Sequence, residues 1–327
     1  MLEVSKLKPL DVAVMGRATI DIYANEIGSL IEAKSFNKYI GGSAANTAVA
    51  LSRLGLDVGY IGKVSSDPLG EFILKYLRNE NIDISNIKKA KKGINSGITI
   101  GEIYEDSCNC YMYRNNCADI HIEPCDIDES YISKYKILLI SGTSLSRSPA
   151  RESVFYATKL AKRNGTKVFL DIDFRENTWE NHDKAGIYLT LAANQADAII
   201  GTKQEYEVMT NLLYDEVLSS SEIAKKFIEI GSKVVVIKNG EKGSELFSDE
   251  GVYKGGIFPT AVLKTFGAGD AYAAGLVYGL LNDFPIEEIL KFAAACSSIT
   301  IMGHSCSDAM PSLDEVESYL VNNRYTN

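Results

Sequence analysis

A glycine-rich turn runs into a helix in the stretch Leu263-Lys264-Thr265-Phe266-Gly267-Ala268-Gly269-Asp270-Ala271-Tyr272-Ala273-Ala274-Gly275. Glycine adopts backbone conformations that other residues avoid, so Gly267 and Gly269 can point N–H groups at a ligand. From Ala271 onward, small and apolar residues recur at helical spacing. A helix N-terminus offers unpaired N–H donors and partial positive charge. The stretch therefore predicts an anion cradle, with phosphate as the natural ligand.

Asp270 lies at the start of this predicted helix. The helix field favours an ionised carboxylate there, which suits a base that takes a proton from a hydroxyl attacking a phosphoryl group. Taken alone, Gly-x-Gly-Asp is also compatible with a structural turn in which the aspartate caps the helix. Two other phosphate loops are excluded. Tyr272 replaces the third glycine of a dinucleotide fingerprint, and the chain has no Gly-x-x-x-x-Gly-Lys-Ser/Thr motif.

A second element lies far upstream, in Gly41-Gly42-Ser43-Ala44-Ala45-Asn46-Thr47-Ala48. Ser43 is expected to cap a helix that Gly55 ends. The paired glycines let the backbone approach a small ligand closely, and Asn46 presents an amide one turn into the helix. In order and separation, the two stretches resemble the two signatures of the PfkB (ribokinase-like) carbohydrate kinases. The resemblance extends from about Asp11 to the C-terminal segment.

The family resemblance implies a fold and two ligands. The fold is a doubly wound, mostly parallel α/β sheet flanked by helices, with residues 1–327 forming a single domain. A small β-sheet lid, from about 17–40 and 93–120, covers the sugar and pairs two subunits into a homodimer. ATP and Mg²⁺ are the implied cofactors. The resemblance also leaves open a K⁺ site near Lys264 and Ser305.

Length and composition are those of a soluble globular protein. The 327 residues are 46% hydrophobic, enough for a full core, and carry a net charge of −9 from 43 acidic and 34 basic residues. This balance argues against nucleic acid or an anionic membrane as a partner. The N-terminal residues lack an apolar signal core, and no run of 18 apolar residues exists, so the cytoplasm is expected. Its six cysteines are expected to be free thiols.

The hydrophobic pattern agrees with the implied fold. Continuous apolar runs separated by helical segments predict parallel strands buried on both faces. These runs are 11–16, 58–64, 137–142, 167–171, 197–201 and 233–238. Residues 97–104 and 110–114 have no helix between them, and predict a hairpin added to the main sheet.

Several residues have chemistry that fits the family's sugar site. Asp21 follows the first strand, where open α/β sheets bind ligands, and its two oxygens can bond sugar hydroxyls; a surface turn carboxylate is the alternative. With Asp21, the resemblance assigns Gly41, Gly42 and Asn46 to the sugar. Arg114 offers a planar fork that matches a carboxylate, although an arginine on a strand is otherwise usually a solvated surface charge.

The resemblance also implies the residues that hold the nucleotide and its metal. Gly267, Ala268 and Gly269 would stabilise the phosphates by their amides. Arg175 would stabilise the transferring group, with an ion pair to a neighbouring aspartate as the alternative. Glu205 would hold magnesium through water. The implied nucleotide contacts are Thr202, Lys238, Gly240, Gly243, Thr265, Ala294 and Gly303.

The segment around Arg114 narrows the substrate class. Tyr113-Arg114-Asn115-Asn116-Cys117-Ala118-Asp119 resembles the 5-dehydro-2-deoxygluconokinase branch of the family and, more loosely, the 2-keto-3-deoxygluconate kinases. The expected activity is ATP-dependent phosphorylation of a sugar-acid hydroxyl, with 5-dehydro-2-deoxy-D-gluconate as the substrate. Fructokinase, ribokinase and nucleoside kinase activities remain rivals. A sugar-binding protein that keeps the fold without catalysis is the alternative from another class.

Overall fold

The computed structural model describes residues 4–104, 107–212 and 217–326. Its strands are β1 Leu10–Met15, β2 Thr19–Ala24, β3 Phe36–Gly41, β4 Val58–Val64, β5 Ile87–Lys89, β6 Ile98–Ile103, β7 Cys108–Tyr113, β8 Tyr135–Ser141, β9 Lys167–Asp171, β10 Ala198–Thr202, β11 Val234–Lys238, β12 Ser244–Ser248 and β13 Gly251–Gly255. Its helices are α1 Ser43–Arg53, α2 Pro68–Asn79, α3 Glu129–Ile132, α4 Ala150–Arg163, α5 His182–Ala193, α6 Lys203–Thr210, α7 Ser220–Ile230, α8 Ala268–Leu281, α9 Ile286–Met302 and α10 Leu313–Asn322.

The larger sheet has nine strands in the order β13-β12-β11-β10-β9-β8-β1-β4-β5. The seven strands from β11 to β5 are joined by parallel pairings, as the apolar runs predicted. Strands β12 and β13 extend the sheet with antiparallel pairings. The predicted doubly wound, mostly parallel sheet is thus confirmed.

Helices cover both faces of this sheet because successive strand side chains point to opposite sides. Val12 and Val14 of β1 belong to one buried cluster, together with residues of α1, α8 and α9. Ala13 and Met15 belong to a second cluster, together with residues of α4, α5 and α7. Strands buried on both faces therefore read as continuous apolar runs.

The smaller sheet has four strands in the order β3-β2-β6-β7. The β3–β2 and β6–β7 pairings are antiparallel, and the β2–β6 pairing is parallel. Its strands fall within the predicted lid ranges, except that β3 extends to Gly41; positions 105 and 106 of those ranges lie outside the described residues. The prediction that the β6–β7 hairpin joins the main sheet is wrong. Ile22 of β2 pairs in parallel with Ile100 of β6, so the hairpin completes a separate sheet.

Local signals explain most helix ends. Asp67 caps α2 by accepting from the amides of Leu69 and Gly70, as expected of an aspartate before Pro68. For α1 the predicted Ser43 cap is wrong: the N-cap is Gly42, with φ 94°, and the Ser43 hydroxyl serves a buried aspartate instead.

All six cysteines are free thiols. Within the described residues, no helix combines the length and the apolar character needed to cross a bilayer.

The parallel strands bring polar residues to one edge of the sheet, because their carboxyl ends point the same way. Ser141, Asp171, Thr202 and Lys238 are the last residues of β8, β9, β10 and β11. Ser141 pairs with Asp171, and Thr202 pairs with Lys238, across the ladders. Strand β1 lies between β4 and β8, where the chain order of the strands reverses direction. Ligands of open α/β sheets bind at such a point.

Candidate active site

The two motifs that the sequence separates by more than 200 residues meet through one hydrogen bond. Asn46 Nδ2 donates to Asp270 Oδ2 at 2.8 Å, across a separation of 224 residues. Asn46 is 3% exposed and Asp270 is 6% exposed. Within the described part of the chain, Asn46 Oδ1 has no hydrogen-bond partner, so it is available to a ligand hydroxyl. The convergence that a shared site requires is present.

The start of α8 has the geometry of an anion cradle. Gly267 is the N-cap, with φ 82°, and a side chain there would be strained and also tight against Thr300, Cys306 and Met310. The Ala268 amide makes a long 3.4 Å hydrogen bond to Thr265 O. The amides of Gly269 and Asp270 find no acceptor in the described ranges, as expected for the first turn of a helix. These donors can bind a phosphate.

Lys238 adds a positive charge beside this turn. A Cβ placed on Gly269 would lie 3.1 Å from Lys238 Nζ, so glycine leaves the ammonium open to a ligand above the turn. Lys238 Nζ also lies 3.5 Å from Asp171 Oδ1, and both groups are buried. Burial opposes the charge on Lys238, but Asp171, Glu205 and Asp270 together raise its pKa. Sequence reasoning predicted a role for Lys238 but did not identify Asp171 as its partner. Lys238 is the last residue of β11 and Asp171 is the last residue of β9, so both lie at the carboxyl edge of the sheet.

Asp270 has a higher pKa than the helix field alone predicts. The helix field was expected to keep its carboxylate ionised, yet burial, with a further contribution from Asp173, raises its pKa to about 7. The Asn46 amide, Arg175 and Lys238 oppose this rise without cancelling it. Removal from water outweighs the local helix field because desolvation penalises the charged form directly. A carboxylate with this pKa is a stronger base than an exposed aspartate.

This pKa predicts the pH profile of turnover. Asp270 accepts a proton only when ionised, so kcat/KM should fall about tenfold per pH unit below about pH 7 and level off above it. Initial rates between pH 5 and 9 check this, with Asp171→Asn as the control. Burial also raises the pKa of Asp171 to about 7, and the inflection should persist in that variant. A flat profile from pH 5 upward would contradict the raised pKa of Asp270.

Asp173 organises a second group of polar side chains. Its Oδ2 accepts from the hydroxyls of Ser43 and Ser141, the latter at 2.9 Å, and its Oδ1 accepts from Arg175 Nε at 2.9 Å. Burial opposes ionisation of Asp173, but Arg175, Arg17 and the two hydroxyls hold its pKa below the ordinary value. Arg175 is half-exposed and keeps its terminal nitrogens for other partners. Sequence reasoning missed Ser43 and Ser141 as partners of Asp173.

Asp21 lies against the glycine pair. Its carboxylate accepts from Tyr23 at 3.0 Å and Thr19 at 3.4 Å, and burial raises its pKa. A Cβ on Gly41 would lie 1.9 Å from Asp21 Oδ1, so Gly41 makes room for this carboxylate. A Cβ on Gly42 would lie 2.4 Å from Arg17 O, so the start of α1 packs directly on the turn after β1. Asp21 and Gly41 are therefore in direct contact, and Gly42 leads into the helix that carries Asn46.

Arg114 is already paired within the protein. Its Nε donates to Asp119 Oδ2 at 2.8 Å, and its Nη1 donates to Thr143 O at 3.0 Å and Ser146 Oγ at 3.1 Å. Its Nη2 lies 2.5 Å from the same Asp119 oxygen, and both side chains are buried. The predicted contact between Arg114 and a substrate carboxylate stays a prediction, and Arg114 has an anchoring role in addition.

Glu205 and Thr202 form a capping box at the start of α6. Glu205 accepts from Thr202 N at 2.7 Å and Phe174 N at 3.0 Å, while Thr202 Oγ1 accepts from Glu205 N. The Ser/Thr-x-x-Glu pattern could have indicated this. Each carboxylate oxygen retains acceptor capacity for a metal-bound water. The described residues contain no cluster of three or more side chains that could hold a metal ion.

The remaining predicted nucleotide positions lie on three parts of the fold: the loop before α8, the β11–β12 connection and helix α9. Thr265 Oγ1 lies 3.8 Å from Cys108 Sγ of the lid. Gly240 and Gly243 lie in the β11–β12 connection, both with positive φ. Ala294 is buried in α9, and Gly303 is the C-cap of that helix. Helix α9 also contacts the turn directly, because Ser297 Oγ donates to Ala268 O at 2.6 Å.

The predicted K⁺ site lies near Lys264 and Ser305. Lys264 is 1% exposed, and its ammonium donates to Phe266 O at 2.9 Å. Ser305 is buried and accepts from the Asp308 amide. A K⁺ site here stays a prediction, and the buried ammonium disfavours it because like charges repel.

Comparison with known proteins agrees with this geometry. The pfkB family carbohydrate kinase model matches residues 9–313, which include both motifs and the strands between them. The chain belongs to the pfkB family of carbohydrate kinases. Among relatives of this kinase, the 5-dehydro-2-deoxygluconokinase of Geobacillus kaustophilus is 46% identical over 97% of the chain and 95% of the relative. The enzyme of the same name from Geobacillus thermodenitrificans is 45% identical, over 98% and 96%.

A solved structure of a putative Ribokinase II from E. coli, in complex with ATP and Mg²⁺, shares the fold of this pfkB kinase. Its TM-score is 0.86 at 20% identity, covering 95% of this chain and 99% of the other. At this identity the likeness shows the fold alone. The ribokinase-like architecture predicted from the two motifs is therefore confirmed.

Proposed function

We propose that this kinase transfers the γ-phosphoryl group of ATP to a hydroxyl of a sugar acid, with 5-dehydro-2-deoxy-D-gluconate as the substrate. The contact between Asn46 and Asp270 carries the proposal, because it places a hydroxyl-binding amide beside a carboxylate at the start of α8. The name shared by the Geobacillus relatives supports this substrate.

Each group in the site has a chemical task in this reaction. Asp270 takes the proton of the attacking hydroxyl, which Asn46 and Asp21 hold. The amides at Gly267, Ala268 and Gly269, with Lys238 beside them, stabilise the negative charge of the β- and γ-phosphates. Arg175, held by Asp173, presents its free nitrogens to the transferring group.

The donor set fits a nucleotide-bound magnesium ion. Glu205 has acceptor capacity for a metal-bound water, and the described residues offer no cluster that would bind the metal without a nucleotide. When bound, magnesium neutralises charge on the phosphate oxygens. The nucleotide itself would extend along Thr202, Gly240, Gly243 and Thr265 towards Ala294 and Gly303.

A coupled assay of ADP release tests the proposed reaction. We expect ATP turnover with 5-dehydro-2-deoxy-D-gluconate, weaker turnover with 2-keto-3-deoxygluconate, and the least with fructose and ribose. A preference for a neutral sugar would contradict the proposed substrate and would instead indicate a fructokinase or ribokinase activity. Sugar binding by calorimetry without any ADP release would favour a binding protein instead.

The lid is the proposed homodimer interface, and the cytoplasm is the proposed compartment. The outer face of the lid exposes Phe36, Tyr111 and Tyr113, which are 45%, 48% and 62% accessible. Three exposed aromatic side chains on one small sheet are typical of an interface. Sedimentation should give about twice the 35.8 kDa chain mass, and Tyr111→Lys with Tyr113→Lys should lower it. A monomeric wild-type protein would contradict the interface.

A further inference from the structure

Arg17 is a buried arginine whose charge has no ion-pair partner among the described residues. It lies in the turn between β1 and β2 and is 5% exposed. Its Nη1 contacts Met112 Sδ at 3.7 Å, a weak acceptor, and its Nε has no hydrogen-bond partner in the described ranges. No carboxylate of those ranges lies within ion-pair distance of it. An unpaired buried charge is strongly unfavourable, so its retention points to a ligand.

The other guanidiniums near the site differ in this respect. Arg114 holds Asp119, and Arg175 holds Asp173. Arg17 lies within the electrostatic reach of both pairs: burial lowers its pKa, Asp173 and Asp119 oppose this, and Arg114 and Arg175 add to it. Counting only these two ion pairs and Arg17, one positive charge is in excess, and Asp21, the other carboxylate that Arg17 influences, lies beyond ion-pair distance. A single anionic group would balance that charge.

The position of Arg17 joins this excess charge to the proposed sugar site. Its carbonyl oxygen packs against Gly42 at the start of α1, four residues before Asn46, whose backbone amide donates to Gly42 O. The charge of Arg17 also favours the ionised forms of Asp21 and of Cys110 in the lid, so it influences groups of both the sugar site and the lid. The backbone of Arg17 thus contacts the sugar motif, and its side chain contacts the lid strand at Met112.

We propose that Arg17 binds the carboxylate of the sugar-acid substrate and determines the preference for acids over neutral sugars. The guanidinium fork matches a carboxylate bidentately, and its free Nε provides one of the donors. Arg114 is then a positioning residue, which holds Asp119 and the carbonyl of Thr143 rather than the substrate. This inference rests on the proposed function, since it requires a substrate with a carboxylate.

The test compares a sugar acid with its neutral methyl ester in Arg17→Met, Arg17→Lys and Arg114→Gln. In Arg17→Met, kcat/KM for 5-dehydro-2-deoxy-D-gluconate should fall about 10- to 100-fold, the size of a lost charged hydrogen bond. The ester should change little, and KM for ATP should stay near the wild-type value. Arg17→Lys should recover part of the loss, and Arg114→Gln should weaken acid and ester alike. Arg163→Met, at an exposed arginine, is the control.

A stability measurement separates ligand binding from a structural role. Removing an unpaired buried charge should leave the melting temperature of free Arg17→Met at or above that of wild type, while the increase caused by the sugar acid is lost. A lower melting temperature with equal loss for acid and ester would overturn the proposal. So would a retained acid preference in Arg17→Met. A wild-type enzyme that prefers neutral sugars would instead reject the proposed function, and this inference with it.

Discussion

Asp270→Asn should reduce kcat by about 100- to 10,000-fold, the usual contribution of a general base. The amide is nearly isosteric and can still accept from Asn46, but it cannot take a proton. Because the wild-type carboxylate is buried, with burial raising its pKa to about 7, the neutral amide should not destabilise the fold. Initial-rate kinetics, thermal melting and ATP titration measure the three effects.

The matched control is Asp314→Asn, which changes another first-turn aspartate, at the exposed start of α10. This control should retain wild-type turnover. If Asp270→Asn also kept its turnover, Asp270 would not be the base. If it lost ATP affinity together with turnover, the residue would act through the shape of the phosphate cradle instead.

Gly41→Ala should weaken sugar binding indirectly, by displacing the Asp21 side chain. The added Cβ would meet the Asp21 carboxylate at 1.9–2.3 Å, so Asp21 must leave its position. Loss of a charged hydrogen bond to a sugar hydroxyl should lower kcat/KM for the sugar acid by about 10- to 100-fold. The KM for ATP should change little, because the α8 turn is untouched. Kinetics with each substrate varied in turn provide the measurement.

A double-mutant cycle tests whether Gly41→Ala acts through Asp21. If Gly41→Ala acts only by displacing Asp21, then Gly41→Ala combined with Asp21→Ala should be no worse than Asp21→Ala alone. Additive losses would contradict that route and would indicate a direct backbone effect of Gly41. Melting temperatures of all three variants establish that the fold is intact.

The predicted charge state of Asp270 shows where sequence reasoning stops. The motif correctly places the carboxylate at the first turn of a helix, and the helix field alone predicts ionisation. Burial opposes the helix field and raises the pKa of Asp270, and burial depends on α1, which lies more than 200 residues away. Local sequence contains no measure of this desolvation.

Arginines show the same limit. The sequence predicted that the guanidinium of Arg114 binds a substrate carboxylate. The structure shows that the chain turns back after β7 and brings Asp119 against this guanidinium. Nothing in the sequence marked Arg17 as unpaired, yet its buried Nε lacks a hydrogen-bond partner among the described residues. Whether an arginine is paired depends on the path of the backbone around it, even when its partner is only five residues away.

The amino-acid sequence by itself determined the strand and helix pattern, the two glycine-bearing motifs and the family. Apolar periodicity and glycine geometry are local properties of the chain, so they are visible without coordinates. The tertiary structure alone decided that the β6–β7 hairpin joins a separate sheet, that Ser43 and Ser141 support Asp173, and that Asp270 titrates near neutrality. The strand pairing, the hydroxyl contacts of Asp173 and the desolvation of Asp270 all arise between residues remote in sequence, and only folding brings those residues together.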